Sequence, residues 1–342
     1  MAIARGPICL KWSLVALWQL TKHDHYVCRL LVEEYDVVKK LICLNRCQQM
    51  TLSTGLRAPI FRILAHLCLN SNALHLVYNS INLHSDVLPH LTERDPDLAR
   101  EVLTLLVQLT IPFIDYKRSQ KRDNTLCHFI ANLPIDRFVR ALTAIAMANM
   151  SRDVFLMAST TLANISFLDS DVIIKNDCMR ALLSTIGKST QLSNDLSVRE
   201  QMMALLANIA AVSPLEVVYC GGLAHIIESF RIQPNPAVHT ESELISLRRI
   251  RLQVETTIRR LMKNEYLATF IQQISSPPPE SGRKSKSRSL DSGCRSNSTF
   301  IKSWASSGNL PSSERIYSYR SFPIICQYNH PPQCIFHHES YV

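Results

Sequence analysis

The chain has 342 residues, of which 46% are hydrophobic and 19% are charged, with a formal net charge of +9. Only eight residues are glycine. Because dinucleotide- and phosphate-binding α/β folds need glycines at fixed turns, this composition disfavours those enzyme classes. The charge excess is modest for a chain of this length, and it does not by itself require a nucleic acid partner.

The first apolar segment, residues 8–20, resembles the hydrophobic part of a signal peptide. Lys11 interrupts this segment, and no small-residue cleavage site follows it. No apolar run in the sequence reaches the length of a bilayer-spanning helix, so no membrane span is predicted.

The cysteines are scattered and include no CxxC pair among the 11 present. This pattern is typical of reduced thiols in an intracellular protein. Seven of them lie in apolar helical segments, where cysteine behaves as a small hydrophobic residue: Cys9, Cys28, Cys43, Cys68, Cys127, Cys178 and Cys220.

A short motif recurs along the first 265 residues. TLANIS at 161–166 and LLANIA at 205–210 are near copies. The shared pattern is a Leu or Ile followed three positions later by another, late in an apolar segment: Leu17–Leu20, Leu64–Leu67, Leu106–Leu109, Leu162–Ile165, Leu206–Ile209 and Ile258–Leu261. The spacing, with polar insertions in the two longest steps, predicts repeats of two or three helices.

Each repeat is predicted to contain two short helices and one long helix. In the unit that follows Asp169, the short helices are expected at 170–176 and 178–186, and the long helix at 197–211, opened by cap signals at 193–195. The long helix carries apolar residues at i, i+3, i+4 and i+7: Met203, Leu206, Ala207 and Ala210. A single unit cannot bury this face, but stacked units can.

The segment LLANIA…VVYCGGLAHIIESF, residues 205–230, resembles an armadillo repeat. In that family L-x-N-[LI]-A closes the third helix, and a glycine pair separates the first two helices of the next unit. The match is strong over 153–230 and weaker in the flanking units. The resemblance implies an all-α fold: an armadillo-type α-solenoid of about five repeats over residues 8–265, with its third helices lining a concave face.

In armadillo repeats the motif asparagine projects into the concave groove and holds the backbone of an extended peptide. Asn164 and Asn208 match that position, and other polar residues occupy it in the remaining units: Gln19, His66, Gln108 and Arg260. The candidate peptide-binding residues are Asn164, Asn208, Gln108 and His66. The alternative is that these side chains satisfy polar groups within the stack.

After Ile274 the composition changes to Pro, Ser, Gly, Lys and Arg, which predicts a disordered tail over residues 275–342. Ser285, Ser287 and Ser289 alternate with basic residues and are candidate phosphorylation sites, because each phosphate would reverse the local charge. The alternatives for this stretch are a solvated linker and a nuclear import signal.

The tail also contains cysteines and histidines with zinc-ligand chemistry, at Cys326, His330, Cys334 and His337. Two prolines among them and the lack of a surrounding core argue against a metal site. The sequence has no catalytic motif of a known class. No metal, no cofactor and no enzymatic activity are therefore predicted.

The chain ends in Glu339, Ser340, Tyr341 and Val342. A hydroxyl residue two positions before a small apolar C-terminus is typical of a PDZ ligand, which adds as a strand to a sheet edge while backbone N–H groups hold its carboxylate. We therefore predict that these four residues are a PDZ-binding motif.

Armadillo-like repeats followed by a Ser/Pro/basic tail that ends in E-S-aromatic-V resemble the Inscuteable family, whose adaptors couple cortical polarity to mitotic spindle orientation. The resemblance implies a non-enzymatic adaptor in the cytoplasm and at the cell cortex during asymmetric cell division. The resemblance also implies that the C-terminus of the chain engages a PDZ domain of a Bazooka-type polarity scaffold, and that the chain is linked to a Pins-type TPR protein.

In that family the Pins-binding peptide precedes the repeats, whereas Met1 here lies almost at the first repeat. The chain is therefore expected to be a fragment, a short isoform or an incomplete gene model, and direct Pins binding through that peptide is doubtful. The alternative function is cargo binding of the importin or catenin type, with an extended peptide held by Asn164 and Asn208. No nucleic acid partner is expected, because the repeats lack a basic stripe interleaved with aromatic residues.

Overall fold

The computed structural model describes residues 7–47, 54–93, 95–116, 123–148 and 151–275. All but the last two of these residues belong to one unit that ends at Gln273. Within the described ranges the secondary structure is helical, and no strand is present. The all-α fold is confirmed, while the predicted domain limits, 8–265 and 275–342, stay predictions.

The helices follow one another with short connections. The first group is α1 (Pro7–His23), α2 (His25–Glu33), α3 (Val37–Arg46), α4 (Thr54–Leu67), α5 (Ser71–Ser80), a π-helical turn (Leu83–Val87), α6 (Leu88–Leu91), α7 (Pro96–Thr110), α8 (Phe113–Tyr116), α9 (Asn124–Ala131) and α10 (Ile135–Met147). The second group is α11 (Arg152–Leu168), α12 (Ser170–Lys175), α13 (Cys178–Gly187), α14 (Thr190–Asn194), α15 (Leu196–Val212), α16 (Pro214–Tyr219), α17 (Gly222–Arg231), α18 (Glu241–Met262) and α19 (Glu265–Ser275).

Six of these helices form a continuous stack, which we call the ladder: α1, α4, α7, α11, α15 and α18. Each member contacts the next along the chain, and each carries one copy of the repeated motif. Other helices cover the ladder, so α10 packs against α11 and α17 packs against α18. This arrangement confirms the predicted solenoid of stacked repeats.

The motif residues are buried where the match to the repeat is strong. Leu162 and Ile165 on α11 are 0% and 1% exposed, and Leu206 and Ile209 on α15 are both 0% exposed. Because residues three positions apart share one side of a helix, the motif places two apolar side chains together in the core of the stack.

Aspartates begin several of the helices. The Asp95 side chain accepts hydrogen bonds from the first backbone N–H groups of α7, and Asp195 does the same for α15. The predicted cap of the long helix is therefore correct at Asp195. Ser193 instead lies in α14, a short helix that was not predicted.

The glycine pair is required by the turn between α16 and α17. Gly221 has a left-handed backbone, with φ of 83°. A Cβ atom at Gly222 would lie 2.8 Å from the carbonyl oxygen of Val217 and 2.5 Å from Leu206 Cδ2. The short helices can therefore approach α15 closely only because Gly222 has no side chain.

The first repeat departs from the expected burial. Leu20, the second motif residue of α1, is 54% exposed. Cys9 and Cys43 were expected to act as small core residues but are exposed, whereas Cys28, Cys68, Cys178 and Cys220 are buried.

Among the described residues, no helix combines the length and the hydropathy needed to cross a membrane.

Candidate functional site

The predicted groove residues occupy equivalent places near the carboxyl ends of four consecutive ladder helices. His66 lies on α4, Gln108 on α7, Asn164 on α11 and Asn208 on α15. The structure therefore places them in one row, repeat by repeat, as the motif spacing predicts.

The two asparagines hydrogen-bond to the preceding ladder helix. The Asn164 Nδ2 group donates to Thr110 Oγ1 at 3.1 Å, and the Asn208 Nδ2 group donates to Ser166 Oγ at 2.8 Å. Each acceptor lies two positions after the equivalent residue of its own repeat, Gln108 or Asn164. The same amide–hydroxyl bond thus links α7 to α11 and α11 to α15.

The hydroxyl protons of both acceptors are committed within their own helices. Thr110 Oγ1 donates to the Leu106 carbonyl oxygen at 2.8 Å, and Ser166 Oγ donates to the Ala163 carbonyl oxygen at 2.6 Å. The oxygen lone pairs therefore face the asparagine amides, and the direction of each link is set.

The row continues at both ends with different chemistry. Arg260 on α18 donates from Nη1 to the Ala207 carbonyl oxygen on α15. On α4, His66 packs edge-to-face against Trp18, with ring centroids 5.4 Å apart. Arginine and histidine thus stand where the central repeats use asparagine.

Accessibility separates the four candidates. Asn164 is 5% exposed and Gln108 is 6% exposed, so both are closed to a ligand backbone in this conformation. Asn208 and His66 are half-buried and remain accessible. The hydrogen bonds show that both asparagines serve the stack, which was the alternative interpretation, and peptide binding stays a prediction.

A charged link that the motif did not indicate lies between α4 and α7. Arg62 Nη2 donates to Glu101 Oε1 at 2.6 Å, and Arg100 Nη2 approaches the same oxygen at 3.1 Å. The Glu101 side chain is only 7% exposed. The Arg62 guanidinium also lies over the Trp18 ring, 5.6 Å from its centroid.

A second charged link lies between α15 and α18. Glu200 Oε1 is 3.4 Å from Arg249 Nη1, and the Glu200 side chain is 6% exposed. Burial raises the pKa of this carboxyl, and the nearby Arg249 charge opposes that rise.

A buried polar cluster joins α15 to α17. Arg199 Nη1 donates to Ser229 Oγ at 3.2 Å, and Arg199 Nη2 donates to the Ser193 carbonyl oxygen at 2.5 Å. Burial, together with the charge of Arg199, lowers the pKa of His225 to about 4. The imidazole is therefore neutral at physiological pH, which suits a packing role.

Among the described residues, no group of three or more His, Cys, Asp or Glu side chains is arranged to hold a metal ion. The row offers amide, guanidinium and aromatic groups, which bind other molecules through hydrogen bonds, charge and stacking.

The remaining candidates lie outside the described residues. These are the terminal motif, Glu339, Ser340, Tyr341 and Val342, and the serines of the basic segment, Ser285, Ser287 and Ser289. Both assignments stay predictions.

Comparison with known proteins identifies the family. The family model described as "Protein inscuteable C-terminal" matches residues 8–279. The chain belongs to the Inscuteable family. The match includes every ladder helix, so the solenoid itself is the region that this Inscuteable-family chain shares with its relatives.

Two curated relatives have the name "Protein inscuteable homolog". The Mus musculus protein is 24% identical over 259 residues, and the match covers 74% of this chain and 42% of the relative. The Homo sapiens protein is 22% identical over 259 residues, with the same coverage of 74% and 42%. The chain thus spans less than half the length of these Inscuteable relatives.

Solved structures with the same fold include engineered solenoids. A designed armadillo repeat protein superposes with a TM-score of 0.54 at 14% identity, over 75% of this chain and 95% of the other. A designed armadillo repeat protein in complex with the peptide (KR)4 gives a TM-score of 0.54 at 12% identity, over 76% and 96%. At these identities the comparison shows the armadillo fold of the Inscuteable-family chain.

Proposed function

We propose that this chain is a non-enzymatic adaptor that links a cortical polarity complex to the spindle-orientation machinery during asymmetric cell division. The observation that supports this proposal is the Inscuteable-family match over residues 8–279, which takes in all six ladder helices. Stacked helical repeats provide long surfaces suited to binding other proteins. The proposed location is the cytoplasm and the cell cortex.

The C-terminus is the proposed contact with the polarity complex, through a PDZ domain of a Bazooka-type scaffold. Val342 would fill an apolar pocket while its carboxylate meets backbone N–H groups. Ser340 would offer its hydroxyl to a polar partner, and Glu339 would add charge selectivity. Tyr341 would point away, since alternate side chains on a strand face opposite sides.

A titration of the last ten residues, as a peptide, against Bazooka-type PDZ domains tests this contact. Ser340→Ala, or one extra residue after Val342, is expected to weaken binding at least tenfold, and Tyr341→Phe is the matched control that leaves binding unchanged. Equal affinity of the extended peptide would show that the free carboxylate is not recognised, and it would contradict the assignment of the C-terminus as a PDZ ligand.

A contact of this size is expected to have about micromolar affinity, or roughly −8 kcal/mol. Stable attachment at the cortex would then need a second contact from the solenoid, because two linked weak contacts reinforce each other. A Pins-type TPR protein is the proposed partner on the spindle side, and it would be reached through the solenoid or through other subunits.

The accessible asparagine, Asn208, supports a second candidate function, cargo binding of the importin or catenin type. Asn208 is half-buried and commits its Nδ2 group to Ser166. An amide held in this way presents its oxygen in a set orientation, which suits a hydrogen bond from the backbone of an extended peptide.

Partner retention by the full chain distinguishes the two candidates. If a cortical partner is retained through the C-terminus, adding one residue after Val342 abolishes retention and Asn208→Ala leaves it intact. If a peptide is instead held by Asn208, Asn208→Ala abolishes retention and the extra residue after Val342 leaves it intact. Asn132→Ala, which removes an exposed amide at the end of α9, is the control for both.

A further inference from the structure

A buried arginine in the stack, Arg199 on α15, has no acidic partner. The residue is only 7% exposed. Among the described residues no carboxylate forms an ion pair or a hydrogen bond with it, and Glu228, whose charge acts on it from a distance, is itself exposed. Because burial removes the hydration of a guanidinium, an uncompensated charge at this position is costly.

The carboxylate at the favourable helical spacing is engaged elsewhere. Asp195 lies four residues before Arg199, a spacing at which side chains on a helix can pair. Its Oδ1 atom accepts hydrogen bonds from the backbone N–H groups of Ser197 and Val198, at 2.9 and 3.1 Å. Its Oδ2 atom accepts from Arg152 Nε at 2.5 Å. Both oxygens of Asp195 are therefore committed to other groups.

The guanidinium of Arg199 has one incomplete edge. Nη1 donates to Ser229 Oγ at 3.2 Å, and Nη2 donates to the carbonyl oxygen of Ser193 at 2.5 Å. Nε is buried and has no hydrogen-bond partner among the described residues. Nε and Nη2 share the edge through which a guanidinium donates two parallel hydrogen bonds to a carboxylate or a phosphate. Ser193 thus lies at the edge that an anion would use.

The hydroxyl of Ser193 is on the accessible side of this cluster. Ser193 is half-buried, and its Oγ atom donates to the Thr190 carbonyl oxygen at 3.1 Å in an exposed contact. Ser229, at the other end of the guanidinium, is 1% exposed. An anionic group can therefore reach Arg199 from the Ser193 side.

The segment that carries Ser193 is weakly held. It forms α14, a helix of five residues in which Leu192 is buried. Segments with few buried contacts open locally at low free-energy cost. Local opening would present the Ser193 hydroxyl to a modifying enzyme without unfolding the ladder.

We propose that Ser193 is a phosphorylation site and that its phosphate pairs with the Nε and Nη2 edge of Arg199. A protein serine kinase would catalyse the transfer from ATP: Ser193 Oγ bonds to the γ-phosphorus, the bond from that phosphorus to ADP breaks, and the hydroxyl proton passes to the base of the kinase. The phosphate supplies the negative charge that Arg199 lacks. It would tie α14 to α15 and, through Ser229, to α17.

Mass spectrometry tests whether the site is used. The full chain is isolated from dividing cells treated with phosphatase inhibitors and is cleaved with trypsin, which releases residues 189–199 after Lys188. Fragment ions are expected to place a phosphate on Ser193, and the Ser193→Ala chain is expected to lack it. A peptide that is recovered without phosphate, or with phosphate only on its other hydroxyl residues, would overturn the proposal.

A second experiment tests the pairing without altering Arg199. Phosphoserine is incorporated genetically into the full chain at position 193 or, as a control, in place of Ser184, which is exposed on α13. The second pKa of phosphoserine is about 6, and an adjacent guanidinium favours the dianion. By ³¹P NMR titration the pKa at position 193 is expected to be about 1 unit lower than at position 184. Equal pKa values would refute the pairing.

Hydrogen exchange tests the structural effect. Phosphoserine at position 193 is expected to slow amide exchange in α14 at least tenfold, because a charge-assisted hydrogen bond must break before the segment opens. Phosphoserine at position 184 should leave α14 unchanged. Arg199→Gln should abolish the slowing and Arg199→Lys should retain part of it, since lysine keeps the charge but not the two-donor edge. Slowing that persists in an Arg199→Gln chain, shown by circular dichroism to be folded, would contradict the proposal.

Discussion

Neighbouring ladder helices are linked by uncharged amide–hydroxyl bonds in the centre of the stack and by buried carboxylates on either side of it. Asn164 and Asn208 provide the central bonds. Glu101 pairs with Arg62 on one side, and Glu200 pairs with Arg249 on the other. An additional pair, Arg152 with Asp195 at 2.5 Å, lies at the amino-terminal ends of the central helices.

The difference shows that the same stack tolerates two kinds of buried polar link. A neutral amide can be buried at modest cost once its hydrogen bond is made, whereas a carboxylate must keep a cationic partner. The armadillo motif includes the asparagine but neither member of an ion pair.

The largest effect is expected in the apolar core that both kinds of contact share. Leu206 is 0% exposed, so Leu206→Ala should lower the free energy of unfolding by about 2–5 kcal/mol through lost burial and a cavity. Leu252→Ala on α18, where the side chain is 47% exposed, is the control and should cost less than about 0.5 kcal/mol. Urea unfolding followed by circular dichroism measures both, and equal losses would contradict the assigned core.

Among the polar links between ladder helices, the ion pair of Arg62 with Glu101 should lose more stability on mutation than the amide–hydroxyl bonds. Glu101→Gln removes a carboxylate that accepts from Arg62 at 2.6 Å, and hydrogen bonds to charged groups contribute about 1.5–3 kcal/mol. Asp97→Asn alters an exposed carboxylate beside Arg100 and is expected to change stability by less than about 0.5 kcal/mol. If both variants have the same stability in urea, burial does not strengthen this pair.

The buried carboxylate of Glu200 should make the free energy of unfolding depend on pH. Burial raises the pKa of Glu200 above its ordinary 4.5, so the folded state binds this proton more tightly than the unfolded state does. The contribution of Glu200 to stability therefore falls as pH rises from about 4.5 through the raised pKa, by about 1.4 kcal/mol for each unit of the shift.

Unfolding free energies at pH 4 and pH 7 measure this dependence. Glu200→Gln should gain stability relative to wild type at the higher pH, and Glu255→Gln, at an exposed position of α18, is the control. A Glu200→Gln variant that loses stability relative to wild type as pH rises would reverse the sign and refute the assignment.

The neutral link should have the smallest effect. Asn208→Ala and Ser166→Ala remove opposite ends of one hydrogen bond of 2.8 Å and should each cost about 0.5–1.5 kcal/mol. The double variant should cost less than the sum, because the two residues share the bond. Full additivity would show that this bond does not couple the helices, and a loss above that of Glu101→Gln would reverse the comparison.

Local patterns along the chain were sufficient to predict the all-helical stack. The motif places Leu162 with Ile165, and Leu206 with Ile209, at a spacing that only a helix brings to one side, and all four side chains are buried. Asp195 and the Gly221–Gly222 pair marked helix limits, because capping and left-handed turns depend on neighbouring residues.

The candidate site was predictable in position but not in accessibility. The motif aligned Asn164 with Asn208, yet Asn164 is 5% exposed while Asn208 is half-buried. The hydroxyl partners, Thr110 and Ser166, lie 54 and 42 residues away in the chain. Exposure and partner choice depend on how adjacent repeats are offset, which no single repeat encodes.

The sequence by itself determined the helical repeats, their apolar faces and their caps, because periodicity and capping act within a few residues. Only the tertiary structure decided that Asp86, in the π-helical turn, pairs with Arg46 at 2.5 Å and that Glu101 pairs with Arg62. Each of these depends on which helices become neighbours in the stack, and that is settled by packing between residues far apart in the chain.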